Sequence, residues 1–377
     1  MAGEDLVPPR VARVQPPGVG LVQWPIGQSL CRHRVMIRVE PAALGRIRLR
    51  PLDPGATAKA RLPAHWGAVR IVSLLPSATE IVYALGLQDQ LVGVTHECDW
   101  PLDARRKPVV SVSALPSGTP TSPAEIDRLV SASIEGGEPI YRLDELRVRD
   151  LRPDLVLSQD LCAVCAVPSG YVDAALQVLG CSAEVVSLDP GSLDEVLDCV
   201  IRVGAVTGTL GRAEQLVSAL HSRLERVRQA VAGLARPRTF ALEWSDPPFN
   251  GGHWVPDMID AAGGEPVLGA RGTPSVRVSW SQIQAAGPEA VVFMPCGYGL
   301  DEACEEAKHL LDRTELLGAD AFFAVDASSY FSRPGPRLVE GVEALASALH
   351  PEIATGSKAA RAAAGVVAPS GVIRRLR

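Results

Sequence analysis

No stretch of this 377-residue chain approaches the roughly 20 consecutive apolar residues that a membrane-spanning helix needs, so membrane insertion is not expected. Familiar catalytic signatures are missing as well. There is no Walker A loop, no GxGxxG fingerprint, no GxSxG elbow and no HExxH pair. Nothing names a nucleophile with its base at a recognisable spacing. The opening MAGEDLVPPR lacks a basic region followed by an apolar run of about 7–15 residues, and so predicts no secretory signal. The cysteines (Cys31, Cys98, Cys162, Cys165, Cys181, Cys199, Cys296 and Cys304) are dispersed through a large chain, which argues against a disulfide framework. These two absences together predict a cytoplasmic location.

What is present is ordinary in bulk and uneven in detail. Hydrophobic residues make up 47% and charged residues 21%, as in a globular protein, and the length favours two domains. The net charge of −6 hides an asymmetry: residues 1–68 carry a net of +6 and the remainder a net of −12. So acidic a body would repel phosphates, and no nucleic-acid partner is expected.

Residues 1–68, rich in Pro, Gly and Arg, read as a disordered or loosely ordered extension. Strand and helix patterns then alternate. Arg70–Leu75 is a short β-branched run, followed by the helical SATEIVYALGL, for which Ser77 and Glu80 are spaced as a capping box. The apolar runs LVGVT, PDLVLS and AEVVSL follow, and TFALEW, AVVFMP and AFFAVDA repeat the scheme later. Buried strands with intervening helices predict α/β units with mainly parallel sheets. From Gly211 to Leu234, leucines and valines at 216, 220, 224, 227, 231 and 234 trace one helix face, long enough at about 35 Å to join two lobes. A shorter helix from Ser192, capped by Glu195, precedes it. The predicted organisation is an N-terminal lobe over 69–191, connecting helices over 192–236, a C-terminal lobe over 237–352 and a flexible tail over 353–377. A helical connector leaves little room for a large hinge motion.

Chemistry-bearing residues gather just after strand ends, where open α/β sheets bind ligands. His96, Glu97, Cys98, Asp99 and Trp100 follow LVGVT. Gln159, Asp160, Cys162 and Cys165 follow PDLVLS. Glu243 and Trp244 end TFALEW, with Asn250, the chain's only asparagine, His253 and Trp254 just beyond. Cys296 follows AVVFMP, and Tyr330 and Arg333 follow AFFAVDA. Loops from both lobes are expected to converge on one cleft. The Cys162–Cys165 pair admits redox, structural or metal readings. With His96 and Cys98 it would make a Cys3His set suited to zinc. Trp244, Trp254 and Tyr330 are candidate walls for a planar ligand, or ordinary packing. His253 is a candidate axial donor to a metal, or a surface residue. Glu97, Asp99 and Glu243 suit contacts to ligand amides or loop ordering, and Arg333 suits an anionic group or a structural ion pair. Cys296 is the expected thiol of the second lobe, whereas Cys181, Cys199 and Cys304 read as structural.

RIVSLLPSATEIVYALGL, the GGHWVPDMIDAAGG segment and the long connector resemble the substrate-binding proteins for cobalamin and ferric siderophores, of the helical-backbone metal receptor type, over about residues 69–352. HECD, CAVC, GGHW and SYFSRPGPR resemble a subgroup labelled cobalamin-binding. The resemblance implies two Rossmann-like α/β lobes joined by a single long backbone helix, the class III substrate-binding fold. It also implies a corrinoid or another small-molecule metal chelate held between the lobes, without catalysis. In the absence of an export signal, no transporter permease is expected. The competing reading is a zinc or thiophilic-metal protein, or a metal-dependent enzyme, in the same cleft, with Glu97 or Glu243 as general base on a metal-bound water.

Overall fold

Short β-branched and apolar runs, too brief for helices, become the strands of two sheets. The computed structural model describes residues 69–114, 122–136, 140–159, 182–316, 318–355 and 371–377. In the first lobe, β1 (Ile71–Ser73), α1 (Pro76–Ala84), β2 (Leu91–Thr95), β3 (Val109–Ser113), α2 (Pro123–Glu135), β4 (Tyr141–Leu143), α3 (Glu145–Leu151), β5 (Leu155–Ser158) and β6 (Glu184–Ser187) form a sheet of order β4-β3-β2-β1-β5-β6. Its strands run parallel except β4, which turns back against β3. Every residue of the central strands β1 and β5 is buried, as parallel strands covered on both faces must be.

Two helices follow, α4 (Leu193–Val206) and α5 (Leu210–Val231). The Ser192 side chain caps α4 by accepting the Glu195 amide. The second lobe then runs β7 (Arg238–Ser245), β8 (Pro248–Asn250), α6 (Val255–Ala261), β9 (Glu265–Pro266), α7 (Trp280–Ala286), β10 (Ala290–Phe293), α8 (Leu300–Ala307), β11 (Ala321–Val325), α9 (Ala327–Tyr330), α10 (Leu338–Leu349), α11 (Pro351–Thr355) and β12 (Ile373–Arg375). Its sheet has the order β12-β11-β10-β7-β8, with β9 beside β7. Here β8 and β12 are the antiparallel strands.

The connector is richer than one helix. In α4, Leu193, Val196 and Leu197 join the core of the second lobe, whereas Cys199, Val200 and Val203 join that of the first. In α5 the order reverses: Ala213 sits in the first lobe's core, and Leu220, Leu224, Val227 and Val231 in the second's. The chain therefore passes between the lobes three times, and the last pass is the helix that the leucine spacing predicts. Each fully buried leucine or valine contributes about 1.5–3 kcal/mol, so the pair is a shared core rather than a tether. Where the two helices meet, Gly204 is so close to Ala213 that an added methyl would lie 2.4 Å from the alanine Cβ.

Two expectations are corrected. Pro76 takes the first helical position of α1, so Leu75 is the N-cap, and the Ser77–Glu80 capping box does not form. The Glu80 carboxylate goes instead to Arg337. The tail is not flexible throughout, because β12 pairs with β11. Val372 is fully buried there, and the Arg377 guanidinium donates to the carbonyls of Leu311 and Leu316.

A cleft between the lobes as candidate binding site

The described residues belong to one compact unit, and the loops leaving the strand ends of both lobes enclose a cavity of about 1060 Å3 between the sheets. From the first lobe come His96, Glu97, Cys98 and Asp99 after β2, and Gln159 after β5. From the second come Glu243 and Trp244 of β7, His253 and Trp254 before α6, Cys296 after β10 and Arg333 after α9. Cys162, Cys165 and Asp160 lie outside the described residues.

Each of these side chains is held by its neighbours. The His96 ring donates from Nδ1 to the Ser111 carbonyl at 3.1 Å and lies 6.1 Å from the Tyr141 ring. The Tyr141 hydroxyl donates to Glu97 at 3.1 Å. Gln159, buried at 3% exposure, donates its amide to the Leu188 carbonyl and orders that loop. Ser275 donates to the Glu243 carboxylate and accepts the Gly252 amide. The Trp244 indole donates to the Pro123 carbonyl at 3.2 Å and packs edge-on against Tyr298. Trp254 donates to the Phe331 carbonyl at 2.7 Å and is itself core. His253 adopts a left-handed backbone at φ 51°, and burial lowers its pKa. Its Nε2 is enclosed without a hydrogen-bond partner.

Cys98 is settled by a chain of donors. The Ser73 hydroxyl donates to the Leu75 carbonyl, and the Thr79 hydroxyl donates to Ser73 at 2.9 Å. Thr79 has no second proton, so in its 3.1 Å contact with Cys98 the thiol must be the donor. Burial raises the thiol pKa as well. The expected Cys3His set also includes Cys162 and Cys165, which lie outside the described residues. Among the described residues, no group of three or more His, Cys, Asp and Glu is arranged to hold a metal ion.

Three expected contacts lie away from the cavity. Trp100 and Tyr330 pack on the Arg337 guanidinium instead, at 5.1 and 5.3 Å. Asn250 is buried with its amide on the Leu268 carbonyl, and its oxygen accepts the Val276 amide at 2.7 Å. It fixes the loop behind the cleft. A buried charge group anchors the lobes beside this point. Arg337 forks onto Glu80, 5% exposed, at 2.5 and 2.9 Å, and Arg333 binds Asp99 at 2.5 Å. Burial pushes the Glu80 carboxyl up, against the pull of Arg337.

The sequence reading misses the wall built by α2. Ile126, Asp127, Val130 and Ser131 border the cavity, and Arg277 from the opposite lobe reaches Asp127 at 2.8 Å. The apolar pair at i, i+4 was a signal for α2. Arg277 carries none, because its partner lies 150 residues away.

A family model for periplasmic binding proteins matches residues 71–321. An ABC transporter substrate-binding lipoprotein of Bacillus subtilis is 25% identical over 295 residues, covering 75% of this chain and 80% of the relative. A vitamin B12-binding protein of Yersinia pestis is 25% identical over 234 residues, covering 61% of this chain and 71% of that protein. The solved structure of a periplasmic heme-binding protein from Roseiflexus superposes with a TM-score of 0.56 at 21% identity, covering 76% of this chain and 99% of that one. The class III two-lobed fold is therefore the fold of this chain. The expected cytoplasmic location is overturned: the relatives are lipoproteins or periplasmic proteins, and they point outside the cytoplasm. With that location goes the ground for expecting no permease. On the match over most of its described length, the chain belongs to the periplasmic binding protein family.

Proposed function

We propose that the chain binds a corrinoid of the cobalamin type in the inter-lobe cleft and presents it to a membrane permease. The observation that carries this reading is the cavity of about 1060 Å3, walled by both lobes. Ligand sites run to about 300–1000 Å3, so this one is sized for a large chelate. Its lining mixes apolar surface from Trp244, Phe249, Val130 and Ile126 with a few fixed polar groups, among them Glu97, Glu243 and Arg333. That combination suits a flat ring with amide arms. The likeness to vitamin B12-binding proteins supports the corrinoid, and the likeness to an ABC transporter lipoprotein supports the permease. Heme is the second reading, favoured by an imidazole presented at the cleft wall.

Tryptophan fluorescence tests the choice, because Trp244 and Trp254 border the cavity. Titration with cobalamin should quench it saturably near one equivalent. Saturation by hemin alone would move the assignment to heme, and no response to either chelate would sink both readings.

A further inference from the structure

Among the described residues that border the cleft, His96 presents an exposed imidazole to the cavity. Its Nδ1 must be the protonated nitrogen, since its partner is the Ser111 carbonyl, which can only accept. In the neutral ring this leaves Nε2 with a free lone pair. The same carbonyl also accepts the His96 backbone amide at 3.2 Å. One oxygen therefore fixes both the backbone and the ring, and Tyr141, tied to Glu97, stands against the ring. A carbonyl holding Nδ1–H is the usual support of an imidazole that ligates through Nε2. His96 is exposed and borders the cavity, and Nε2 makes no hydrogen bond to the described residues.

The other described imidazole at the cleft and the buried thiols are occupied or enclosed, which leaves the exposed Cys296 thiol as the competing donor at the cavity. Nε2 of His253 is shut in. The Cys98 thiol donates to Thr79. Cys304 and Cys199 are buried in the cores.

We infer that His96 Nε2 coordinates the metal of the bound chelate as an axial ligand. This rests on the reading of the cleft as a chelate site and narrows its substrate class. The ligand must have an axial position that a nitrogen can take, as heme and aquated corrinoids do. A ferric siderophore with all six positions filled is excluded. The step is a ligand exchange: a nitrogen–metal bond forms, a metal–water bond breaks, water leaves, and neither oxidation state nor proton count changes.

The test is the absorbance spectrum of aquocobalamin, and separately of hemin, mixed with wild type, His96→Ala, His96→Gly and His253→Ala, then desalted. Wild type and His253→Ala should carry one chelate with an imidazole-type spectrum. His96→Ala should lose that spectrum and bind at least about tenfold more weakly. Added free imidazole should restore the bands in His96→Gly, which separates lost ligation from misfolding. If all four proteins retain the chelate with one spectrum, the inference fails while the cleft reading stands. If corrinoid is not retained but hemin shows a His96-dependent spectrum, the inference holds and the corrinoid reading fails. If neither chelate yields a His96-dependent spectrum, axial ligation is overturned.

Discussion

At the scale of single residues, the Glu80–Arg337 pair is the most buried ion pair that ties α1 of the first lobe to the second. Both side chains are nearly buried, at 4% and 12% exposure, so removing Arg337 leaves a carboxyl that burial already pushes up without its main partner. Breaking such a pair costs about 3–5 kcal/mol, far more than an exposed bridge contributes. Arg337→Ala should lower the free energy of unfolding by that amount in urea denaturation, and a loss below about 1 kcal/mol would contradict the account. The cysteines give a second prediction. Cys296 is exposed, whereas burial raises the pKa of Cys98 and Cys304 and pushes Cys199 to about 12. A maleimide followed by peptide mass mapping should label Cys296 well before those three. His253 supplies the pH dependence. Burial holds its pKa below 6.5, so the folded protein keeps the ring neutral while the unfolded chain protonates as pH falls. The unfolded state then binds more protons, and stability is lost below about pH 6.5. His253→Asn, which tolerates the left-handed backbone, should lose less stability between pH 7.5 and 5.5 than wild type does. Equal losses would show that the ring is not the titrating group.

Among elements, α4 and α5 matter most. Replacing a helical glycine by alanine normally gains up to about 1 kcal/mol. At Gly204 the added methyl would sit 2.4 Å from the Ala213 Cβ, and overpacking costs about 1–3 kcal/mol. The clash should win, so Gly204→Ala should lower the melting temperature, and a rise would mean that the helices can spread. The wall helix α2 meets the other lobe through Arg277, which is 56% exposed, so its bond to Asp127 contributes at most about 1 kcal/mol. Arg277→Ala should therefore speed chelate release by no more than about fivefold in stopped flow. The elements were legible to different degrees for physical reasons. The β2 run LVGVT and the leucine face of α5 depend on local periodicity, and both appear almost at the expected residues. The α1 cap departs from its local signal because Pro76 pre-empts the first turn, and β12 has no local signal because its pairing with β11 is non-local. In the site, residues just beyond strand ends could be found from topology alone. Which of them face the cleft could not: Asn250, Trp100 and Tyr330 are claimed by the Leu268 carbonyl and by Arg337, contacts that no local periodicity announces.

For the whole molecule, two α/β lobes share three passes of chain and a core that runs through both, which predicts small relative movement on binding. The central claim is that the space between them holds one corrinoid. The most direct measurement is gel filtration of the protein with excess aquocobalamin, read at protein and corrinoid wavelengths, beside Ser131→Trp, which fills the cleft wall. The account predicts close to one corrinoid per chain for wild type and nearly none for Ser131→Trp. Corrinoid that fails to co-elute with wild type, or that Ser131→Trp retains equally, would contradict it.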